Sequence, residues 1–359
     1  MNYYFAPLEG ITGYLYRRAH HTFYPDADRY FTPFLVPKEK KNLDAKERND
    51  VLPEHNRGMR VVPQIMTNRP DEFLRICRVL HQEYGYQEVN LNLGCPSRTV
   101  VSKKRGSGFL SVPDRLEEFL IQVCTALESY GMRLSVKTRI GTNHPDEFFR
   151  LLEIFKKLPL SGLIVHPRLQ KDFYCGVPDW QAFLSAYEAC AQADWELCYN
   201  GDIFCRRDYQ RLCMQFPKLP AVMMGRGLLV NPALIREIRA GESCGIPEKV
   251  RENSGTEKLA GKTAVLPRFQ NASEEKAERK RRYEMYEMLL EDYRSVMCGE
   301  KNVLFKMKEL WMYMSQDFTQ PQRYWKKMKK AQKLSDFHHA VCALYMEQRL
   351  REWTDEPVV

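Results

Sequence analysis

Eleven cysteines are spread along the 359-residue chain, and one is set apart by its neighbours. Cys95 lies in Asn-Leu-Gly-Cys-Pro, directly after an apolar run. That context puts its sulfur on a loop, whereas most of the others sit inside apolar runs, as reduced core thiols do. A free thiol titrates at about 8.5, so it is protonated at neutral pH and can serve as a general acid without a dedicated partner. The alternative is a Cys–His nucleophile with His166 as base, and no acyl-transfer signature accompanies it. Lys137, in Ser-Val-Lys-Thr-Arg, interrupts another apolar run. An ammonium aimed inward calls for an anionic or electron-rich ligand; the plainer alternative is a lysine at an exposed strand end. Asn200-Gly201-Asp202 and Gly225-Arg226-Gly227 are turns through which backbone N–H groups could approach a phosphate, with His166 and Arg226 adding charge. Taken singly, such glycines equally make tight turns.

These residues need a scaffold that brings them together. Eight short runs of strand character recur: Tyr3–Ala6, Arg29–Phe34, Arg60–Met66, Glu88–Leu93, Arg133–Arg139, Gly162–His166, Glu196–Asn200 and Ala221–Gly225. Most are nearly continuous in apolar character, as in a parallel sheet buried on both faces. Helical segments fall between them at Pro70–Tyr84, Val112–Tyr130, Asp146–Leu158, Trp180–Ala193 and Arg206–Phe216, with a marginal one at Gly13–His21. The pattern predicts an α/β fold, a (β/α)8 TIM barrel over residues 1–245. A doubly wound sheet is the competing fold, but the first turn, Ala-Pro-Leu-Glu-Gly, is not its glycine-rich fingerprint. Barrel chemistry sits at the C-terminal strand ends. There stand Pro7, Glu9, Gln64, Asn92, Cys95, Lys137, Arg139, His166, Arg168, Asn200, Asp202 and Arg226.

Residues 246–280 are expected to form a linker or insertion, and 281–359 an all-helical domain with helices at Tyr283–Met297, Lys301–Gln316, Gln322–Leu334 and Asp336–Arg351. Between Phe318 and Ser335 lie Arg323, Lys326, Lys327, Lys329, Lys330 and Lys333 without an acidic residue, and Tyr324 and Trp325 are interleaved. Basic residues alternating with aromatics suit phosphate contact and base stacking; a charge run is also often just a solvated helix face. The net charge of +9 favours polyanions in general without selecting one. The cysteines form no C-x-x-C pair and show no zinc spacing, which predicts no metal site and a reducing, cytoplasmic setting. No stretch approaches the ~18 uncharged apolar residues of a membrane span.

In this order, the segments Ala6-Pro7-Leu8-Glu9-Gly10-Ile11-Thr12, Pro63-Gln64-Ile65, Asn90 to Ser97, Val136-Lys137-Thr138-Arg139, His166-Pro167-Arg168, Tyr199 to Ile203 and Met224-Gly225-Arg226-Gly227 resemble the tRNA-dihydrouridine synthase family. Gly-Cys-Pro-Ser is the most specific single piece. The resemblance implies non-covalent FMN, with NADPH or NADH as reductant and tRNA as substrate. It implies that Pro7, Leu8 and Glu9 line the isoalloxazine and that Gln64 and Lys137 meet its polar edge. His166, Asn200, Gly201, Asp202, Gly225 and Arg226 would hold the phosphate. Hydride would reach C6 of a flipped uracil and Cys95 would give a proton to C5. Asn92 and Arg139, with Arg168, are the implied contacts to the base, and Arg323, Lys326, Lys327 and Lys330 the contacts to RNA. Two departures from the family pattern are Leu8 in place of methionine and Pro167 in place of glycine; the segment 246–282 is also longer than usual. Two alternatives stay open: an FMN barrel oxidoreductase acting on a small molecule, and a non-catalytic RNA-binding relic.

Overall fold

The computed structural model describes residues 1–38, 42–191, 193–243 and 267–352. The part of the expected linker at 246–266, and residues 353–359 of the expected helical domain, lie outside the described residues. The described strands are β1 (Asn2–Phe5), β2 (Arg29–Phe31), β3 in two pieces (Val61–Val62 and Gln64–Ile65), β4 (Glu88–Leu93), β5 (Arg133–Arg139), β6 (Gly162–His166), β7 (Glu196–Tyr199) and β8 (Ala221–Met224). All pair in parallel. The hydrogen-bonded order begins in one piece of β3 and ends in the other, so the sheet closes on itself. Pro63 makes the break because it has no N–H for the ladder. Its carbonyl still accepts from Asn90 N at 2.8 Å, which carries the pairing across the gap. The fold is the expected TIM-like α/β barrel.

Between the strands run α1 (Tyr14–Phe23), α2 (Ala45–Val51), α3 (Pro70–Gln82), α4 (Arg98–Val101), α5 (Pro113–Ser129), α6 (Glu147–Lys156), α7 (Trp180–Cys190) and α8 (Arg206–Gln215). In α5, Pro113 opens the helix and Gly131, at φ +66°, follows its end. Its apolar residues recur at helical spacing, and Leu116, Phe119, Leu120, Val123 and Leu127 are buried. Phe119 meets Phe73 edge-on at 5.7 Å and Phe109 at 5.4 Å. Loss of such a buried ring typically costs about 3–5 kcal/mol.

Two compact units are present. The first comprises Met1–His21, Asp26–Ile203 and Arg211–Gly225 and contains the barrel. The second takes Thr22–Pro25, Phe204–Gln210 and the described residues from Arg226 onward. Its helices are α9 (Arg226–Val230), α10 (Leu234–Ser243), α11 (Ala272–Val296), α12 (Glu300–Met314), α13 (Gln322–Lys330) and α14 (Leu334–Glu347). Helix α11 begins within the segment expected as a linker, where Asn271 caps Glu274 N. The second unit is organised around buried charge. Asp317, fully buried, accepts from both Nη atoms of Arg268 at 2.8 Å and from Arg282. Arg282 also reaches Glu278 at 3.1 Å and Asn231 Oδ1 at 2.6 Å. Tyr286, Trp311, Phe318 and Tyr345 form the aromatic centre of the unit.

Candidate active site

Strand register sets which residues share the inner face of the barrel. Gln64 is level with Asn90, Asn92 with Lys137, Lys137 with Ile164, Arg139 with His166, and Ile164 with Cys198. Ile164 and Cys198 belong to the buried cluster that also holds Tyr4, Phe31, Val62 and Met223, with Leu8 packed on it. Side chains on a strand alternate, so one further step toward the C-terminal ends brings the polar residues to the mouth.

Under the mouth runs a chain of buried amides. Asn92 Nδ2 donates to Gln64 Oε1 at 2.6 Å, Gln64 Nε2 to Asn90 Oδ1 at 2.7 Å, and Asn90 Nδ2 to Ser135 Oγ at 2.9 Å. Asn92 Oδ1 accepts from the backbone N–H groups of Gly94 and Cys95, both at 3.0 Å. This asparagine therefore turns the chain out of β4 and presents Cys95. Its other amide hydrogen has no acceptor among the described residues. The loop is closed from the other side by Ser107, whose N–H and Oγ–H both donate to the Cys95 carbonyl, at 3.0 and 2.8 Å.

Cys95 is partly accessible. Burial raises its pKa, while the Ser97 N–H, Arg139 and Lys137 pull the other way. The balance keeps the proton on Sγ and still supplies positive charge that would stabilise the thiolate once the proton is given up. Lys137 is pushed down to about 8, first by burial and then by the neighbouring charge of Arg139. Arg139 is buried and spends its donors on backbone carbonyls: Gly94 at 2.9 Å, Leu169 at 2.7 Å and Phe173 at 2.5 Å. It thereby ties the Cys95 turn to the loop after β6. The exposed ring of Tyr174 covers both Arg139, at 5.5 Å, and His166, at 6.1 Å.

His166 Nε2 lies 3.1 Å from Arg168 Nη1. Arg168, 1% exposed, also grips both carboxylate oxygens of Asp202 and the carbonyls of Cys175 and Gly176. Asn200 Nδ2 donates to the Met223 carbonyl at 2.8 Å. The two glycines have local reasons to be glycine. A Cβ on Gly201 would fall 2.1 Å from the Tyr199 hydroxyl, and one on Gly225 would press on Ala6 and Leu8 at 3.2 and 3.3 Å. Pro7 and Leu8 are half-buried; Glu9 is exposed and accepts from Lys46 at 2.6 Å. The structure thus brings Gln64, Asn92, Cys95, Lys137, Arg139, His166, Arg168 and Asp202 into one connected set of strand ends and loops. Glu9 turns its carboxylate to the surface.

Arg226 belongs to the second unit, where it opens α9 and stacks its guanidinium 5.5 Å from the Phe204 ring. On α13 the buried face is Tyr324 and Met328. Lys326, Lys327, Lys329 and Lys330 are exposed, and the Lys329 ammonium lies 6.0 Å from the Trp325 ring. Arg323 is paired with Glu347 at 2.8 Å.

Asn90, Ser135, Ser107 and Tyr174 were not singled out from the sequence. Asn90 and Ser135 carry a readable signal, since each sits two residues before another inward polar group, Asn92 and Lys137. Ser107 reaches Cys95 through a loop closure that no local pattern marks.

The family model described as Dihydrouridine synthase (Dus) matches residues 4–334 of this chain. A probable tRNA-dihydrouridine synthase of Aquifex aeolicus (strain VF5) is 24% identical over 273 residues, 76% of this chain and 84% of that protein. Probable tRNA-dihydrouridine synthase 2 of Bacillus subtilis (strain 168) is 27% identical over 231 residues, 63% and 69% of the two chains. Among solved structures, a morphinone reductase aligns at 13% identity with a TM-score of 0.47, over 67% of this chain and 86% of that one.

Proposed function

The chain belongs to the dihydrouridine synthase family, and from that premise we propose that it reduces the C5=C6 bond of uridine in tRNA, with FMN bound and NADPH or NADH as reductant. The enzyme is an oxidoreductase, and tRNA and reductant would meet it in the cytoplasm. The observation that carries the reading is the clasp of Asn92 and Ser107 around Cys95, on the same strand ends as an ammonium with no carboxylate partner among the described residues.

The inner face fits FMN. Lys137 is a cation held against its own desolvation, which an electron-rich ring edge or an anion would relieve. Pro7 and Leu8 offer an apolar wall, and Glu9 contributes backbone alone. Gln64 and Lys137 would meet the polar edge of the ring. His166, Asn200, Gly201 and Gly225 would hold the phosphate, with Asp202 fixing Arg168 beside His166. When bound, FMN supplies the hydride.

Cys95 holds its proton at Sγ and delivers it to C5 of the uracil. The positive field of Arg139 and Lys137 then stabilises the thiolate left behind. Arg139 acts through the loops it binds, and the spare Asn92 amide hydrogen is available to the base edge. Tyr174 offers a ring on which a flipped base can stack. In the second unit, Lys326, Lys327 and Lys330 make phosphate contacts.

The test is dihydrouridine formation on unmodified tRNA with FMN and NADPH, read by mass spectrometry. Wild-type protein forms product; Cys95→Ala retains flavin absorbance and loses about 10²–10⁴-fold in turnover. Flavin-loaded protein that turns over small enones or free pyrimidines but leaves tRNA unmodified would replace this reading with the small-molecule one. Protein that binds tRNA yet cannot be loaded with FMN would establish the non-catalytic one.

A further inference from the structure

The second unit contains a thiol–imidazole pair that the proposed reaction does not use. His338 and Cys342 are four residues apart on α14, hence on one face of it. Cys342 Sγ lies 3.4 Å from His338 Nε2 and 3.5 Å from the Tyr283 hydroxyl of α11. The other imidazole nitrogen, Nδ1, is 2.9 Å from the Tyr286 hydroxyl and 3.7 Å from Glu287 Oε1. Cys342, His338 and Tyr283 are all partly exposed, so small reagents can reach the sulfur.

The order of contacts matters. Sulfur faces one ring nitrogen; a hydroxyl and a carboxylate face the other. A proton moved from Sγ to Nε2 leaves an imidazolium with Tyr286 and Glu287 on its far side, and a thiolate with His338 Nε2–H as donor, beside the Tyr283 hydroxyl that Cys342 shares with Glu287. Cys190, Cys198 and Cys205 instead donate to the Trp195 carbonyl, the Tyr199 carbonyl and the Asp208 carboxylate.

We propose that Cys342 is a reactive thiol and a site of reversible oxidative modification, activated by His338. With hydrogen peroxide, the thiolate sulfur attacks one oxygen, the O–O bond breaks, and the departing hydroxide takes the imidazolium proton to leave as water. Sulfur is oxidised to a sulfenic acid and the peroxide is reduced. A small-molecule thiol of the glutathione class then forms an S–S bond there and expels the sulfenic oxygen as water. The mixed disulfide lies between α11 and α14 and is removed by excess thiol.

The experiment uses the full chain, with iodoacetamide as the probe and peptide mass spectrometry giving a rate for each cysteine. Cys175 and Cys298, both exposed, are the internal references. Cys342 should react faster than either reference although it is less exposed. His338→Gln should slow Cys342 about tenfold or more and leave the references unchanged, and Glu287→Gln should slow it less. With limiting hydrogen peroxide and a 1,3-diketone trap, the label should concentrate on Cys342 in wild-type protein. The proposal is overturned if Cys342 reacts more slowly than the exposed references in wild-type protein. It is equally overturned if a folded His338→Gln protein labels Cys342 at the wild-type rate.

Discussion

A lysine on the inner face of a barrel is a conflict between stability and binding, and Lys137 states it in numbers. Burial, then the charge of Arg139, lowers its pKa from 10.5 to about 8. In the unfolded chain the same amine holds its proton up to its ordinary pKa. Between those two values unfolding takes up a proton, so this residue makes stability rise with pH across that window. Below about 8 both states are charged and the whole cost of the buried ammonium is present. The shift corresponds to about 3 kcal/mol, reduced by the residual water access of the side chain. Flavin-free Lys137→Met should therefore be more stable than wild type at pH 7, by about 1–3 kcal/mol in urea unfolding. The advantage should fade as pH rises past 10, and the variant should lose FMN. A variant less stable than wild type at pH 7 would show that Lys137 is already paired inside the protein.

The loop from Gly94 to Ser111 converts this strand-end chemistry into a positioned thiol. Gly106 has φ +54°, and a Cβ there would lie 2.8 Å from the Cys95 carbonyl oxygen and 3.1 Å from Cys95 Cβ. Alanine would have to push the Cys95 turn aside. Gly106→Ala should cost about 1–2 kcal/mol from the left-handed backbone alone. It should also lower kcat about 10²-fold through misplacement of Sγ, with FMN retention unchanged. Wild-type kcat in this variant would mean that the turn yields without moving the thiol. Strands β4, β5 and β6 were legible to the residue: β6, Gly-Leu-Ile-Val-His, is nearly continuous in apolar character, while β4 and β5 carry apolar residues at every second position or nearly so, at strand spacing. The ring of polar strand-end residues was legible because each stands at or just past the C-terminal end of a strand, where barrel chemistry sits. Helix α2 was not, since its Ala-Lys-Glu-Arg-Asn-Asp-Val sequence has little apolar periodicity. Its one signal was the Asp44–Glu47 capping box. Nor could the sequence say how Asn92 spends its amide. That depends on Gln64, 28 residues away, and on the closure of the barrel.

At the scale of the molecule the net charge of +9 is a general attraction to polyanions, and α13 gathers four exposed lysines on one helix. Tyr324 and Met328 hold the helix to its unit, and Lys326, Lys327 and Lys330 project from it. Arg323 is different, because its guanidinium is already matched by Glu347. A cation with a carboxylate partner gains less from a phosphate than one facing water alone, since the existing pair must first be broken. Each phosphate contact releases counterions, which gives log K a slope of about −0.7 to −0.9 per contact against log salt. Replacing Lys326, Lys327 and Lys330 together with Gln should weaken tRNA binding at low salt and flatten that slope by about two units. Arg323→Gln alone should change it by well under one unit. Because these lysines lie off the buried face of α13, the triple variant should keep its melting temperature and its FMN content. Titrations of wild type and both variants at four salt concentrations measure the slopes directly. An unchanged slope in the triple variant would move the RNA footprint off α13, and a large loss from Arg323→Gln alone would mean that tRNA displaces Glu347 on binding.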